Sequence, residues 1–490
     1  MNENRKRVVI VGGGIAGLAA AHRLVERAGD RVEIMLLEAA EHLGGVIRTE
    51  QHADLLIELG PDSILTEKPW AVDLCRRLGL EDELIGTQTE FRQTYVVRDG
   101  ELLPLPEAFQ MMAPGKLRPF LASRILSWPG RLRALMDLVL PRGGPPPGGD
   151  ETLASFVQRR LGSEVLDRIA QPVVGGIYTA DPETLSLATT MPRFLEMERQ
   201  HRSLILALLR QNRKAAAASP QNSGPSGTSG ARFNLFVTPR AGMASLVRAI
   251  KSRLPQGAVR TGTRVTKIVR TERWEVETDD GGQLDADAVI VALPAPRAAQ
   301  VLSEQDTMLA AKLADIHYAS TAVAALVYRR ADLGVRPDFF GIVVPAREGL
   351  GIVAISLQSV KFAGRAPDDL VTLRIFLGGA LAPEVLQEND EALLSRAREA
   401  AADLLRVDAP PVEEHLVRYM ESMPQYAAGH ALRVFEIEEA AGRWPGLALA
   451  GNAYHGVGLP DSIHSGEQAA DSLLASGIAG GEIPRENTET

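Results

Sequence analysis

Cysteine, aromatic residues and long apolar runs are all scarce in this chain of 490 residues, and each scarcity removes a class of protein. A single cysteine, Cys75, excludes an intramolecular disulfide and any metal site built on several thiolates. It sits in Asp73-Leu74-Cys75-Arg76-Arg77-Leu78, where apolar residues recur at helical spacing, so it reads as a packed thiol. The nine histidines are scattered without an H-x-x-x-H pair, so no metal site is expected. No stretch approaches eighteen uninterrupted apolar residues, which argues against a membrane-spanning helix. A surplus of positive charge is missing too: a net charge of −9 and a pI near 5.6 argue against nucleic acid as a partner. The first apolar run begins within a few residues of Met1, leaving no room for a signal peptide, so a reducing cytoplasm is the expected compartment. With 45% hydrophobic residues the chain can bury large cores, and two or three lobes are expected.

What is present begins with Val8-Val9-Ile10-Val11-Gly12-Gly13-Gly14-Ile15-Ala16-Gly17, a strand-like run, a glycine turn and an alanine-rich helical stretch. Here the glycines let backbone N–H groups and a helix N-terminus approach a pyrophosphate with no Cβ in the way. A second apolar run, Val32 to Leu37, closes on Glu38, the acid placed to accept hydrogen bonds from a ribose. Just beyond Ala39, the residues Gly44, Gly45 and Arg48 offer a second approach to the pyrophosphate, which a nicotinamide site does not usually need.

Together with Glu58-Leu59-Gly60-Pro61-Asp62-Ser63, this extended pattern resembles the FAD site of the flavin amine oxidase and porphyrinogen oxidase superfamily. The resemblance implies FAD held by Gly12, Gly13, Gly14, Ile15, Ala16, Gly17, Glu38, Ala39, Gly44, Gly45, Val46, Arg48, Gly60, Pro61, Asp62, Ser63 and Val265. Near the end of the chain, Leu449 to Ile463 reads as a strand, a glycine-rich turn and a helix start. Flavin sites of this type are closed by such a turn, here contributing Gly451, Val457, Gly458 and Leu459.

Between these cofactor segments the chain changes character. Thr94 to Pro106 reads as a hairpin around Asp99-Gly100. Residues 107–210 carry helical periodicities interrupted by the rigid loop Pro141 to Gly149, and 211–231 is poor in residues to bury and reads as a flexible linker. Ala288 to Pro294 reads as a buried parallel strand, and 315–380 as a β-rich lobe followed by a helix around Glu391 to Leu405. The expected fold is α/β plus α+β. A discontinuous Rossmann-like FAD-binding domain (1–88, 232–298 and 415–478) joins a β-rich substrate domain (89–106 and 299–414) and an inserted helical lobe (107–210).

Several motifs outside the cofactor site look like those of the oxygen-dependent porphyrinogen oxidases of haem biosynthesis. They are Gln171-Pro172-Val173-Val174-Gly175-Gly176-Ile177-Tyr178-Thr179-Ala180-Asp181-Pro182 with Leu185-Ser186, then Ser359 to Pro367, and Met423-Pro424-Gln425-Tyr426-Ala427-Ala428-Gly429-His430. The resemblance implies oxidation of protoporphyrinogen IX by three hydride transfers to FAD, with dioxygen as acceptor and hydrogen peroxide released. Such chemistry belongs to the cofactor, so no catalytic side chain is expected. A wide apolar slot with cationic anchors for propionates is, with Arg92 as the anchor and Gly175, Ile177 and Tyr178 lining the slot. Arg92 and Pro104-Leu105-Pro106 lean toward protoporphyrinogen IX, and coproporphyrinogen III stays open as the alternative. An amine oxidase, a carotenoid desaturase and a non-catalytic carrier of the same fold are the more distant readings. Tyr419 stands where a tryptophan is commoner in the family.

One segment points outward. Lys116, Arg118, Arg124, Arg131, Arg133 and Arg142 outnumber Glu107 and Asp137, and are interleaved with Phe120, Leu121, Ile125, Leu126, Trp128, Leu132 and Leu135. This patch is expected to serve peripheral contact with the inner face of the cell membrane or docking of a ferrochelatase, and a homodimer stays open.

Overall fold

The computed structural model describes residues 5–106, 109–110, 113–143, 149–217 and 235–478, the backbone alone at 109–110 and 214–217. Its organising element is a five-stranded parallel sheet in the order Val259–Arg260, Val32–Leu37, Lys6–Val11, Ala288–Val291, Leu447–Leu449. The apolar runs become inner strands because a parallel sheet is covered on both faces. Alternation sends Val8 and Ile10 to one face, against the helices Ile15–Ala28 and Leu459–Ala475, and Val9 and Val11 to the other. Lys6–Val11 thus lies between its sequence neighbour Val32–Leu37 and the distant strand Ala288–Val291, and the glycine turn at its carboxyl end lies at the crevice where such sheets bind ligands.

The second lobe is a seven-stranded sheet in the order Glu413–Pro424, Tyr318–Arg329, Leu370–Gly378, Ile352–Leu357, Gly341–Val343, Thr94–Arg98, Glu101–Pro104. Asp99 (φ 51°) and Gly100 (φ 77°) form the tight turn that the Asp-Gly pair demands between its last two strands. The helix Asp390–Leu405 covers one face, burying Leu393, Ala397, Leu404 and Leu405 against Leu326, Leu373 and Ile375. Residues 415–424, expected with the cofactor domain, belong instead to this sheet. Leu416 and Val417 contribute to apolar clusters on its opposite faces, and the strand pairs along most of Tyr318–Arg329.

A third unit is helical, with its own core around Phe120, Phe156, Ile169 and Phe194. The helix Leu204–Ala217 overruns the expected linker boundary at 211, because Ala215, Ala216 and Ala217 are strong helix formers. The rest of the expected linker, 218–231, and residues 144–148 of the rigid loop lie outside the described residues. No described helix is long and apolar enough to cross a membrane.

Candidate flavin and substrate site

At the end of Lys6–Val11 the backbone turns sharply enough that Gly12 takes φ 108°, and a Cβ there would lie 3.0 Å from the Ala292 carbonyl carbon. A Cβ on Gly17 would lie 3.1 Å from the Gly12 carbonyl carbon and nearer still to its oxygen, so the turn and the following helix require glycine at both positions. Gly14 differs: nothing lies within 4 Å of its Cβ position. It caps the helix Ile15–Ala28, which has no side-chain cap and no acid in its first turn, so the N–H groups of that turn are left for a ligand beside the open space at Gly14. This is a cradle shaped for a phosphate rather than a packed turn.

Glu38 closes one side. Its carboxylate accepts from the Gly13 N–H at 2.6 Å and the Ala40 N–H at 2.8 Å, which fixes its position at the end of Val32–Leu37. Gly44 donates to the Gly13 carbonyl at 2.8 Å and bridges to Gly14, bringing the second glycine pair against the first. Arg48 points outward and pairs with Glu50 at 2.8 Å. Val265 starts the strand Val265–Arg270, two residues beyond Thr263, whose N–H donates to the Glu38 carbonyl. The final turn comes in from the other side: Gly451 donates to Ser465 Oγ, and Gly458 caps Leu459–Ala475, again with no side-chain cap. The two helix N-termini, the ribose-type acid and the open Gly14 edge therefore fit a dinucleotide with a flavin, although neither Ala39, Val46 nor Pro61 shows a side-chain role in the structure.

Asp62 and Ser63 also make contacts across the chain. Asp62 forms ion pairs with Lys361 and Arg374, each at 3.0 Å, and accepts from Ser63 Oγ at 2.7 Å. Burial opposes its ionisation, yet the two cations outweigh it and hold its carboxyl well below the ordinary carboxylate range. Arg374 also donates to the Gly60 carbonyl. This ion cluster ties the cofactor segment to the strand Leu370–Gly378 and to the Ser359–Pro367 motif, so the side chains of Asp62 and Ser63 serve the seam between lobes.

The substrate-side motifs converge. Ser186 N donates to the Tyr426 carbonyl at 2.7 Å, Ala428 N to the Thr184 carbonyl at 2.9 Å, and Gln425 Nε2 reaches the Tyr178 carbonyl. Tyr426 stacks on His430 at 4.0 Å and donates to the Asn452 carbonyl at 2.5 Å, joining the motif to the closing turn. Gly175 lines a cavity of about 190 Å³ with Gln171, Thr179, Val353 and Gly379, whereas Ile177 is 47% exposed and Tyr178 donates to the Thr190 carbonyl at 3.3 Å. Arg92 is exposed with no ion-pair partner among the described residues, so its guanidinium is available to a carboxylate. Tyr419 reaches the Val46 carbonyl at 3.4 Å, and burial pushes its hydroxyl up to about 12.

Two contributors escape the motif reading. A Cβ on Gly466 would lie 2.9 Å from the Ala16 carbonyl carbon, with the oxygen nearer still, so this glycine sets the approach of the two helices that face the cofactor. Lys68 pairs with Asp461 at 2.5 Å and pins the first turn of Leu459–Ala475. Neither has a sequence signal, since each depends on a partner hundreds of positions away.

With this geometry in place, the comparisons define the class. The flavin containing amine oxidoreductase pattern matches residues 15–474, and the chain belongs to that family, on its porphyrinogen oxidase branch. It is a flavin-dependent oxidoreductase. Among curated proteins, the coproporphyrinogen III oxidase of Bacillus subtilis (strain 168) is 34% identical over 97% of this chain and 99% of its own length. That of Propionibacterium freudenreichii is 35% identical over 96% and 91%. A solved structure from Exiguobacterium sp. 255-15, assigned as a protoporphyrinogen oxidase, superposes with a TM-score of 0.84 at 29% identity, covering 96% of this chain and 99% of that one.

Proposed function

We propose that the chain oxidises a porphyrinogen to the porphyrin in haem biosynthesis, with FAD as its flavin. The observation that carries this reading is the convergence of the Gln171–Ser186 and Met423–His430 motifs on the turn that closes the cofactor site. FAD bound in the Gly14 cradle supplies the hydride acceptor for three two-electron oxidations, with dioxygen as terminal acceptor and hydrogen peroxide released. What the chain's own residues supply is placement: Arg92 holds a propionate, Gly175 leaves room for the macrocycle, and Tyr178 fixes the end of its helix.

Of the two candidate substrates we place coproporphyrinogen III first, because the curated bacterial relatives of Bacillus subtilis and Propionibacterium freudenreichii both carry that name. Arg92 and Pro104-Leu105-Pro106, which lean the sequence reading toward protoporphyrinogen IX, serve either, since both substrates carry propionates. Porphyrin fluorescence in air, with each porphyrinogen in turn, gives the two kcat/KM values directly. A higher value for coproporphyrinogen III is expected; a higher value for protoporphyrinogen IX reverses the order, and no porphyrin from either refutes the function.

The outward patch is narrower in charge than its sequence implies. Arg131 is buried and donates to the Leu121 and Leu126 carbonyls, and Arg133 donates to carbonyls of residues 158–160. Asp137 is fully buried in an ion pair with Arg160. Left outside are Trp128, Leu132, Met136 and Val139, a helical stripe exposed by 47–69%, with Lys116, Arg118 and Arg142 exposed on either side of it in sequence and Arg124 paired with Glu101. Apolar contact plus cationic flanks suits an anionic membrane surface, and we assign the stripe that role. Flotation with vesicles containing anionic lipid is expected for the wild type and lost in Trp128→Ser/Leu132→Ser; equal flotation of both proteins contradicts it.

A further inference from the structure

His52, Glu413 and His415 form the compact cluster of metal-ligand side chains found among the described residues. His52 ends the strand Thr49–His52, and the other two stand at the start of Glu413–Pro424, two positions apart and therefore on one face of that strand. Their ligand atoms lie within 4.8 Å of one another. Glu413 Oε1 sits between the rings, 2.8 Å from His52 Nδ1 and 2.6 Å from His415 Nε2, and the rings meet edge to face at 5.3 Å. The side chains are 51%, 24% and 20% exposed, so an ion reaches them from solvent.

The two strands are held in place independently of these polar groups. Leu55 and Ile57, on the other arm of the His52 hairpin, pack with Leu59 against Ala325 and Val327, with Val417 beside them. The separation of the three ligands is thus set by an apolar cluster, which is the preorganisation a metal site needs. The scattered-histidine pattern hides it because His52 and His415 meet only through this packing.

We propose that the cluster binds a divalent transition ion of the zinc type, with His52 Nδ1, His415 Nε2 and the Glu413 carboxylate as ligands and water completing the shell. Two imidazoles with one carboxylate match zinc and its first-row neighbours, whereas magnesium and calcium take oxygen ligands. A tetrahedral ion with bonds of roughly 2.0–2.1 Å spaces its ligand atoms about 3.3 Å apart. His52 Nδ1 then recedes from Glu413 by about 0.5 Å and His415 Nε2 by about 0.7 Å, small side-chain rotations. The ion staples the hairpin that follows Arg48 to the strand that carries Tyr419, so it stabilises the seam beside the cofactor without touching the flavin.

The test uses the full-length flavin-loaded protein, dialysed against chelator and titrated with zinc chloride in competition with a chromophoric chelator, the thermal midpoint being read with and without zinc. One zinc per chain and a raised midpoint are expected, with zinc affinity weaker by about tenfold or more in His52→Ala and in His415→Ala and flavin absorbance unchanged. Excess magnesium or calcium is expected not to displace the zinc. Glu413→Gln, which keeps the shape of the cluster, is expected to weaken zinc as well and serves where an alanine variant loses flavin. No zinc retained by the wild type, or zinc held equally by the His52→Ala/His415→Ala protein, overturns the proposal.

Discussion

Replacing Gly466 by alanine sets two physical effects against each other with opposite signs. The position lies within the helix Leu459–Ala475 and outside the left-handed region, so helix propensity alone makes the substitution stabilising by about 1 kcal/mol. The contact argument says otherwise. The added Cβ would lie 2.9 Å from the Ala16 carbonyl carbon and 3.2 Å from Ala16 Cα, short of ordinary van der Waals contact, and neither atom belongs to a side chain that can rotate away. The helix must back off from Ile15–Ala28, and overpacking of this kind costs about 1–3 kcal/mol. With backbone as the obstacle the upper end applies, leaving a net loss of about 2 kcal/mol, or about 4–8 °C for a cooperative unit of roughly 150–250 residues. Because Ala16 lies in the helical turn that faces the cofactor cradle, flavin release moves with the loss. Thermal unfolding followed by flavin fluorescence reads both. A Gly466→Ala protein as stable as the wild type, or more so, would refute the claim that this close approach shapes the site.

Three further expectations follow from single groups. Asp62→Asn leaves Lys361 and Arg374 partly unpaired in a buried seam and is expected to cost about 3–5 kcal/mol in denaturant unfolding. Because the folded-state pKa of Asp62 is depressed, its contribution is complete above the ordinary carboxylate value near 4 and is lost as pH falls below it. The wild type should therefore lose stability more steeply than the variant in that acid range, and parallel curves would count against the ion cluster. Cys75 is buried, which pushes its thiol up to about 12, so a thiol reagent should label it only after unfolding; rapid labelling of the native protein would contradict its placement. Arg92→Ala is expected to raise KM for the porphyrinogen by the equivalent of about 1.5–3 kcal/mol with flavin content intact, and an unchanged KM would remove Arg92 from the site.

The sequence shows most where chemistry depends on neighbours along the chain. Gly12, Gly14 and Gly17 between an apolar run and an alanine-rich helix mark the cradle because turn, strand and helix start are all local. Asp99-Gly100 marks its hairpin for the same reason. What stays hidden depends on distant partners. The ion pairs of Asp62 with Lys361 and Arg374 come from another lobe, and Gly466 looks like an ordinary helical residue until Ala16 is seen beneath it. Arg131, Arg133 and Asp137 look like surface charges because a helix period does not reveal which carbonyls or cations approach from other segments of the chain. Residues 415–424 fall within the expected cofactor-domain range 415–478, while cross-strand pairing assigns them to the seven-stranded sheet.

The central claim is tested most directly by titrating the flavin-loaded protein with coproporphyrinogen III in the absence of oxygen, recording flavin absorbance and porphyrin absorbance together. Three flavins bleached for each porphyrin formed is the predicted ratio, since six electrons leave each porphyrinogen in pairs. A flavin that stays oxidised with coproporphyrinogen III and with protoporphyrinogen IX alike, yet is bleached by dithionite, would contradict the account.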